Sequence, residues 1–332
     1  MSHEVTPEDR HWDGADGDSF EATQQWVRKH AMGDVEGLFG PHSLSWEIFG
    51  EPLTLIGVPA AVLMQLAHPA IAEGVRRHSD FKNDLIGRTL RTFQSLSELV
   101  FGDLETCLNM SQRLFKIHHR IRGKIDDPST PHHEHGYRAN APELQWWVAA
   151  TFAVCSARAF ELMVRPLSPE ELHRLHGERI KAAVGVGIHP DGMPATPELY
   201  QRRFEQYLKG PELVVGDTAR ELAHILMNSR WTRGPVDDLL ATGLLPPPLR
   251  AAYDLPWGRA EQRAFDGLIR SLRASRRMLP PPWRNVVAWH QAHLRLARAR
   301  GERGSSFARA LNRVDTLVDL PMSLEPVSRL VT

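Results

Sequence analysis

Apolar residues recur along most of this chain at helical spacing, and the strict alternation of a half-buried strand is scarce. The pattern predicts a first helix over 24–39, stopped by Gly40-Pro41, and a short one over 46–49. A long apolar stretch over 53–78 follows, with a break or kink at Pro59 or Pro69, since an interior proline removes a hydrogen bond and clashes with the turn before it. Next come 84–101, closed by Gly102, and a helix capped by Asp103 that runs to Arg122 before Gly123. The segment IDDPSTPHHEHGYRANAP reads as loop from its Pro, Gly, Asp and Asn content.

Helices are then expected over 143–163, 169–184 and 197–209, with Ser168 and Thr196 as N-caps and Glu171 placed to complete a capping box. Further helices fall over 212–228, 236–242, 259–278 and 283–300, separated by the stiff corners Pro246–Pro248 and Pro280–Pro282. The expected fold is all-α. It divides into a polar, acidic N-terminal arm over 1–19, a helical domain over 20–230, and C-terminal helices over 231–332 packed on that core.

Composition narrows the classes. The 332 residues carry 40 Lys+Arg against 40 Asp+Glu, a balance that argues against a nucleic-acid binder. Cys107 and Cys155 alone make neither a disulfide framework, a four-thiolate zinc site nor a thiolate-ligated iron–sulfur cluster. No CxxCH motif is present, so a haem here would be held without thioether links. The most apolar window, 52–67, is shorter than the ~20 residues needed to span a bilayer, and Pro59 interrupts it. It reads as a buried core helix. With no signal peptide evident at the N-terminus, the expected location is the cytoplasm.

Histidines carry most of the candidate chemistry. The run His132-His133-Glu134-His135 has metal-ligand residue types, but adjacent loop residues point in different directions. His173/His176 and His290/His293 share helix faces, lack the HExxH carboxylate, and read as surface or interface histidines. On the 103–122 helix, Leu104, Cys107, Leu108, Leu114, Phe115 and Ile121 define one apolar stripe; His118 falls near its middle and His119 towards its margin. An imidazole so placed needs a partner, either a backbone carbonyl in a core or an iron in a haem pocket. On the preceding helix Arg88 and Thr92 are i,i+4 neighbours flanking the face built by Leu85, Ile86, Phe93, Leu96 and Val100, while Arg91 points further away. They are a solvated edge, or an anion partner and a hydrogen-bonding hydroxyl in a pocket.

The run LMQLAHPAIAEGVRRHSDFKNDLIGRTLRTFQSL, then FGDLE and IHHRIRG, resembles the MpaB and rubber-oxygenase (latex-clearing protein) family. PELQWWVAATFAVCSARAFELMVRPLSPEEL and GIHPDGMPATPEL resemble its second half, so the likeness spans roughly 46–208. The resemblance implies a globin-like helical core around a non-covalent haem b, and dioxygen-dependent cleavage of carbon–carbon double bonds in isoprenoid chains. It makes His118 the proximal iron ligand and places Arg88 and Thr92 on the distal side. A lysine between those two can close the distal position in rubber oxygenases. Here Arg91 stands there, and a guanidinium has no lone pair to give. Glu73 lies near the family's proposed base, a role that desolvation would favour by raising its pKa, while His68 and His78 read as kink caps or carbonyl partners.

The leading expectation is therefore a haem b-dependent oxygenase acting with O₂ on a small apolar intracellular molecule, saturated or unsaturated. The partners expected are that substrate and O₂, with no nucleic acid, no membrane span and helix packing into a homo-oligomer. Two other classes stay open: a haem-carrying sensor or redox-binding protein without turnover, and a metal-free helical interaction scaffold.

Overall fold

The structure is a computed structural model that describes residues 17–228 and 234–317. The acidic arm expected over 1–19 lies almost wholly outside the described residues. The helices in chain order are α1 (Gly17–His30), α2 (Leu44–Gly50), α3 (Val58–Leu66), α4 (Pro69–His78), α5 (Leu85–Phe101) and α6 (Leu104–Arg120). After these come α7 (Pro142–Met163), α8 (Pro169–Gly185), α9 (Pro197–Lys209), α10 (Asp217–Met227) and α11 (Pro235–Leu244). The series ends with α12 (Pro247–Ala252), α13 (Arg259–Met278), α14 (Val287–Ala299) and α15 (Ser306–Leu317). The fold is all-α apart from one two-stranded antiparallel hairpin, β1 (Arg122–Lys124) and β2 (Gly136–Arg138), paired Gly123 to Tyr137.

Boundaries differ from the sequence pattern where glycine or proline chemistry intervenes. The first helix lies earlier than expected and ends at His30, not at Phe39. Beyond it Gly37 takes φ +74°, and its N–H bonds the carbonyl of Gly33, so Leu38 and Phe39 reach the core from a turn. The 53–78 stretch is three pieces: a 3₁₀ turn over Pro52–Gly57, then α3, then α4. Pro59 and Pro69 sit in the first turns of α3 and α4, where a missing N–H costs nothing. The bend between α2 and the 52–66 segment is 79°, and no single described helix is long and apolar enough to cross a membrane.

The helix expected to reach Arg122 stops two residues sooner, because Arg122–Lys124 pairs as a strand. The caps read from the sequence are present. Asp103 accepts from the Thr106 N–H at 2.8 Å, and Ser168 and Glu171 satisfy each other's backbone N–H groups. The short α12 and the terminal α15 are additional to the helices expected from the sequence.

Two cores organise the helices. One gathers Leu63, Met64, Trp146, Trp147, Leu222, Ala241 and Leu245 from α3, α7, α10 and α11. At its centre the Trp147 indole donates to the Met64 carbonyl at 3.0 Å, and the Tyr253 hydroxyl to the Leu63 carbonyl at 2.8 Å. These are last-turn carbonyls of α3, and the Met64 one lacks its usual partner because the His68 N–H turns to Gln65. The second core joins Trp46, Leu99, Phe101, Cys107 and Leu108 to Ala292 and Leu296 of α14. The C-terminal helices are thus built into both cores.

Candidate functional site

Helices α5 and α6 form a hairpin whose turn is fixed by Gly102 and the Asp103 cap. Near the turn it is fully packed, with Leu99, Val100, Phe101, Cys107 and Leu108 all buried. Towards the other end the same apolar faces are only half-buried: Leu85, Ile86, Phe93 and Leu96 on α5, Leu114 and Phe115 on α6. A helix pair that buries its seam at one end and leaves it half-open at the other has apolar surface to offer a ligand. His118, Arg88 and Thr92 all belong to the open half.

His118 sits within the last turn of α6, and its Nδ1 is buried with no hydrogen-bond partner. Burial, with the nearby positive charge of Arg88, lowers its pKa to about 4. The imidazole is therefore neutral at physiological pH, and its Nδ1 meets no protein group. Its neighbour His119 is exposed and tilts against Phe115, in keeping with a margin position.

Arg88 is the complementary feature. Its guanidinium lies 5.3 Å from the centroid of the Phe81 ring, and it pairs with no carboxylate among the described residues. Burial, with the like charge of Arg91, pulls its pKa down to about 10, so it still carries a proton at neutral pH. A half-buried cation without a counter-ion is a costly arrangement that an anionic ligand group would relieve. Arg91 behaves differently: it turns outward to an exposed ion pair with Asp84 at 3.1 Å, worth little in itself. The Thr92 hydroxyl donates to the Arg88 carbonyl at 3.0 Å, leaving its oxygen lone pairs as acceptors.

Glu73 has a different environment from the one expected of it. Its carboxylate is fully buried on α4, but Arg76 grips it with two bonds, at 2.9 and 2.6 Å, and Arg77 adds a third. Those guanidiniums outweigh desolvation and hold the carboxyl below the usual range, the reverse of what a base role would favour. A carboxylate so engaged is a weak proton acceptor. Asp126 lies at 3.6 Å from Arg76 and 3.4 Å from Arg77, so the cluster ties α4 to the start of the β-hairpin loop.

The other histidines mostly serve structure. His68 Nδ1 accepts from the Ala70 N–H at 3.2 Å and caps α4, as its place before Pro69 suggested. His132 bonds the Pro211 carbonyl at 2.8 Å, and Glu134 pairs with Lys124. Among the described residues no group of three or more His, Cys, Asp or Glu is placed to hold a metal ion. His176 and His290, expected as surface or interface residues, are buried within the fold: His176 meets Tyr200 edge-on, and His290 bonds the Pro282 carbonyl at 2.8 Å. Both thiols are buried, which pushes their pKa values up to about 12 and removes them as nucleophiles.

One participant escaped the sequence pattern. Phe81, 2 % exposed, lies in a turn before α5 and supports the Arg88 guanidinium. Its spacing from Arg88, seven residues, would place the two on one helical face, but the intervening turn hides that signal.

Comparison with known proteins gives this geometry a context. Residues 46–274 match the family described as ER-bound oxygenase mpaB/B′/rubber oxygenase, catalytic domain. That span reaches past residue 230 to most of α13. Uncharacterized proteins of Mycobacterium bovis and Mycobacterium tuberculosis are each 25% identical over 236 residues, covering 67% of this chain and 89% of theirs. No solved structure matches.

Proposed function

Because this chain belongs to the mpaB/rubber-oxygenase catalytic-domain family, we propose that it is a haem b-dependent oxygenase acting on a small apolar substrate. The observation that carries the reading is the pairing of a neutral, desolvated His118, whose Nδ1 has no partner, with an Arg88 cation that has no counter-ion. A haem b supplies complementary groups for both: an iron that takes one imidazole, and carboxylates that take a guanidinium. The half-open apolar faces of α5 and α6 suit a flat apolar macrocycle for the same reason that they cost free energy when left wet. The residues present fit the group.

In this reading His118 would hold the iron, and Arg88 and Thr92 would line the same half-open part of the α5–α6 seam. Bound haem would supply the capacity to bind and activate dioxygen. The chain's own contribution is electrostatic and steric. Arg88 would keep a positive charge in the half-buried seam, where an anionic group of the cofactor or a developing negative charge would meet it. Thr92 offers an oxygen at fixed height on α5, set by its bond to the Arg88 carbonyl. The outward pairing of Arg91 with Asp84 keeps that bulky cation off the site. Leu85, Ile86 and Phe93 favour an apolar substrate over a polar one. Glu73 acts as the anchor of Arg76 and Arg77, with a low pKa that suits an ion pair better than a base.

Absorption spectra and pyridine haemochrome assays on wild type and His118→Ala test the assignment. Wild type is expected to carry haem with a Soret band that weakens or shifts in the variant, and substrate screening then follows O₂ uptake. Stoichiometric haem with an unchanged ferric spectrum in His118→Ala would remove His118 as the ligand. Absence of haem from protein made in haem-supplemented cells would overturn the cofactor itself. A haem protein that consumes no O₂ with any apolar substrate offered would be a carrier or sensor.

A further inference from the structure

The chain as a whole is electrically balanced, but its C-terminal part is not. Between residues 259 and 309 lie twelve Arg, no Lys and three carboxylates: Glu261, Asp266 and Glu302. On α13 the buried face is Phe265 and Ile269. At ~100° per residue, Arg259, Arg263, Arg270 and Arg277 fall within about 40° of one another on the outward side. All four are exposed, and among the described residues none forms an ion pair. Asp266 borders the stripe and bonds Gln262; Glu261 turns back to cap the helix at the Gly258 N–H. Arg276 is taken by Glu51 and Arg295 by the Val35 and Phe101 carbonyls, which leaves the four outward arginines of α13 as cations with little local negative charge.

The end of this stripe is apolar. At the corner between α13 and α14, Met278 is 85% exposed, Trp283 63%, Val287 46% and Leu279 45%. Pro280, Pro281 and Pro282 stiffen the corner, and the Arg284 guanidinium clamps it from inside through bonds to the Leu279 carbonyl at 2.8 Å and the Arg277 carbonyl at 3.1 Å. The Trp283 ring is braced edge-on against Phe307 of α15 at 5.6 Å. The corner is thus a preformed projection that holds large apolar side chains in water beside a row of unpaired cations. Single exposed apolar residues need no explanation; four on one rigid corner do.

We propose that the α13–α14 corner docks the protein on an anionic lipid surface, with Trp283, Met278 and Leu279 entering the interface and the α13 arginines meeting the headgroups. Charge complementarity selects this partner: the arginine row attracts anionic headgroups over a Debye length, and tryptophan is the side chain that settles best at the headgroup level. A neutral apolar partner would leave the row unmatched, and a polyanion such as nucleic acid would leave Trp283 and Met278 in water. Interfacial docking by one short corner is reversible, since few apolar groups are buried. The proposal stands on charge and exposure alone and is independent of the haem reading.

The test is flotation of the full chain with vesicles of phosphatidylcholine, or of phosphatidylcholine mixed with phosphatidylglycerol, at low and high salt. Wild type is expected to float with the anionic vesicles at low salt and little with the neutral ones. Arg270→Glu/Arg277→Glu and Met278→Ala/Trp283→Ala are each expected to lower that partition ~10-fold or more, at an unchanged melting temperature. Should either double variant fold poorly, quenching by brominated phosphatidylglycerol decides, being larger in wild type than in Trp283→Phe. No binding of wild type to anionic vesicles overturns the proposal, as does equal binding by well-folded variants. So does a finding that the corner residues instead hold two copies of the chain together or retain only DNA.

Discussion

His68 and His118 are both buried imidazoles, and their neighbours give them different work. His68 uses Nδ1 to accept the Ala70 N–H, so its neutral form is part of the start of α4. Burial, reinforced by the charge of His132, drops its pKa to about 3. The ordinary value is ~6.5, so the unfolded chain binds this proton more readily than the folded one. The stabilisation is fully present above pH ~6.5 and is lost as pH falls towards about 3, at up to ~1.4 kcal/mol per pH unit. His68→Asn keeps an N-cap acceptor that does not titrate. Its melting temperature is expected to fall less than that of wild type between pH 7.5 and 5.5; equal falls would remove His68 from the linkage. The position of His118 in an apolar stripe was legible from spacing, but its unpartnered Nδ1 was not, because hydrogen-bond satisfaction depends on what other helices bring. Glu73 is the converse: its partners are two arginines three and four residues on, in plain view in the sequence, and they hold its pKa down.

At the scale of elements, caps and prolines were the most legible features because they act within four residues. Ser168, Thr196 and Asp103 cap the helices they precede, and 197–209 and 259–278 match the observed helices at both ends. The 53–78 stretch was harder: Pro59 and Pro69 mark its breaks, but the α3 part is apolar all round, and tertiary contact makes 52–57 a 3₁₀ turn. Gly57 marks one such contact: the 3₁₀ turn it ends lies so close to α7 that a Cβ there would stand 2.8 Å from the Cys155 carbonyl oxygen. A backbone atom cannot swing away as a side chain could. Gly57→Ala is expected to cost about 1–3 kcal/mol, read as a lower denaturation midpoint at unchanged m-value. An unchanged midpoint would mean that the 3₁₀ turn shifts freely.

Across the whole molecule, the family match ends at residue 274, yet α14 lies beyond it and contributes Ala292 and Leu296 to the core around Trp46 and Phe101. The guanidinium of Arg295 on the same helix donates to the carbonyls of Val35 and Phe101. Leu296→Ala is accordingly expected to destabilise the entire protein by about 2–4 kcal/mol in one calorimetric transition. A separate early transition, with the rest melting at the wild-type temperature, would show α14 to be an independent appendage. The hairpin of β1 and β2 illustrates the converse. Three-residue strands leave almost no periodic signal, and they exist because Ile125 and Tyr137 bury against α4 and α7 residues.

Local rules allowed the sequence alone to determine the helical class, most caps, the proline breaks, and the chemical types at 88, 92 and 118. Each depends on neighbours within a turn or two, so the information is contiguous. Only the tertiary structure decided that α5 and α6 close at one end and stay half-open at the other, and that among the described residues Arg88 lacks a counter-ion. It also set the arginine row of α13 beside an exposed tryptophan corner. Burial, desolvation and charge pairing are sums over groups distant in sequence, and the chain must fold before those sums exist.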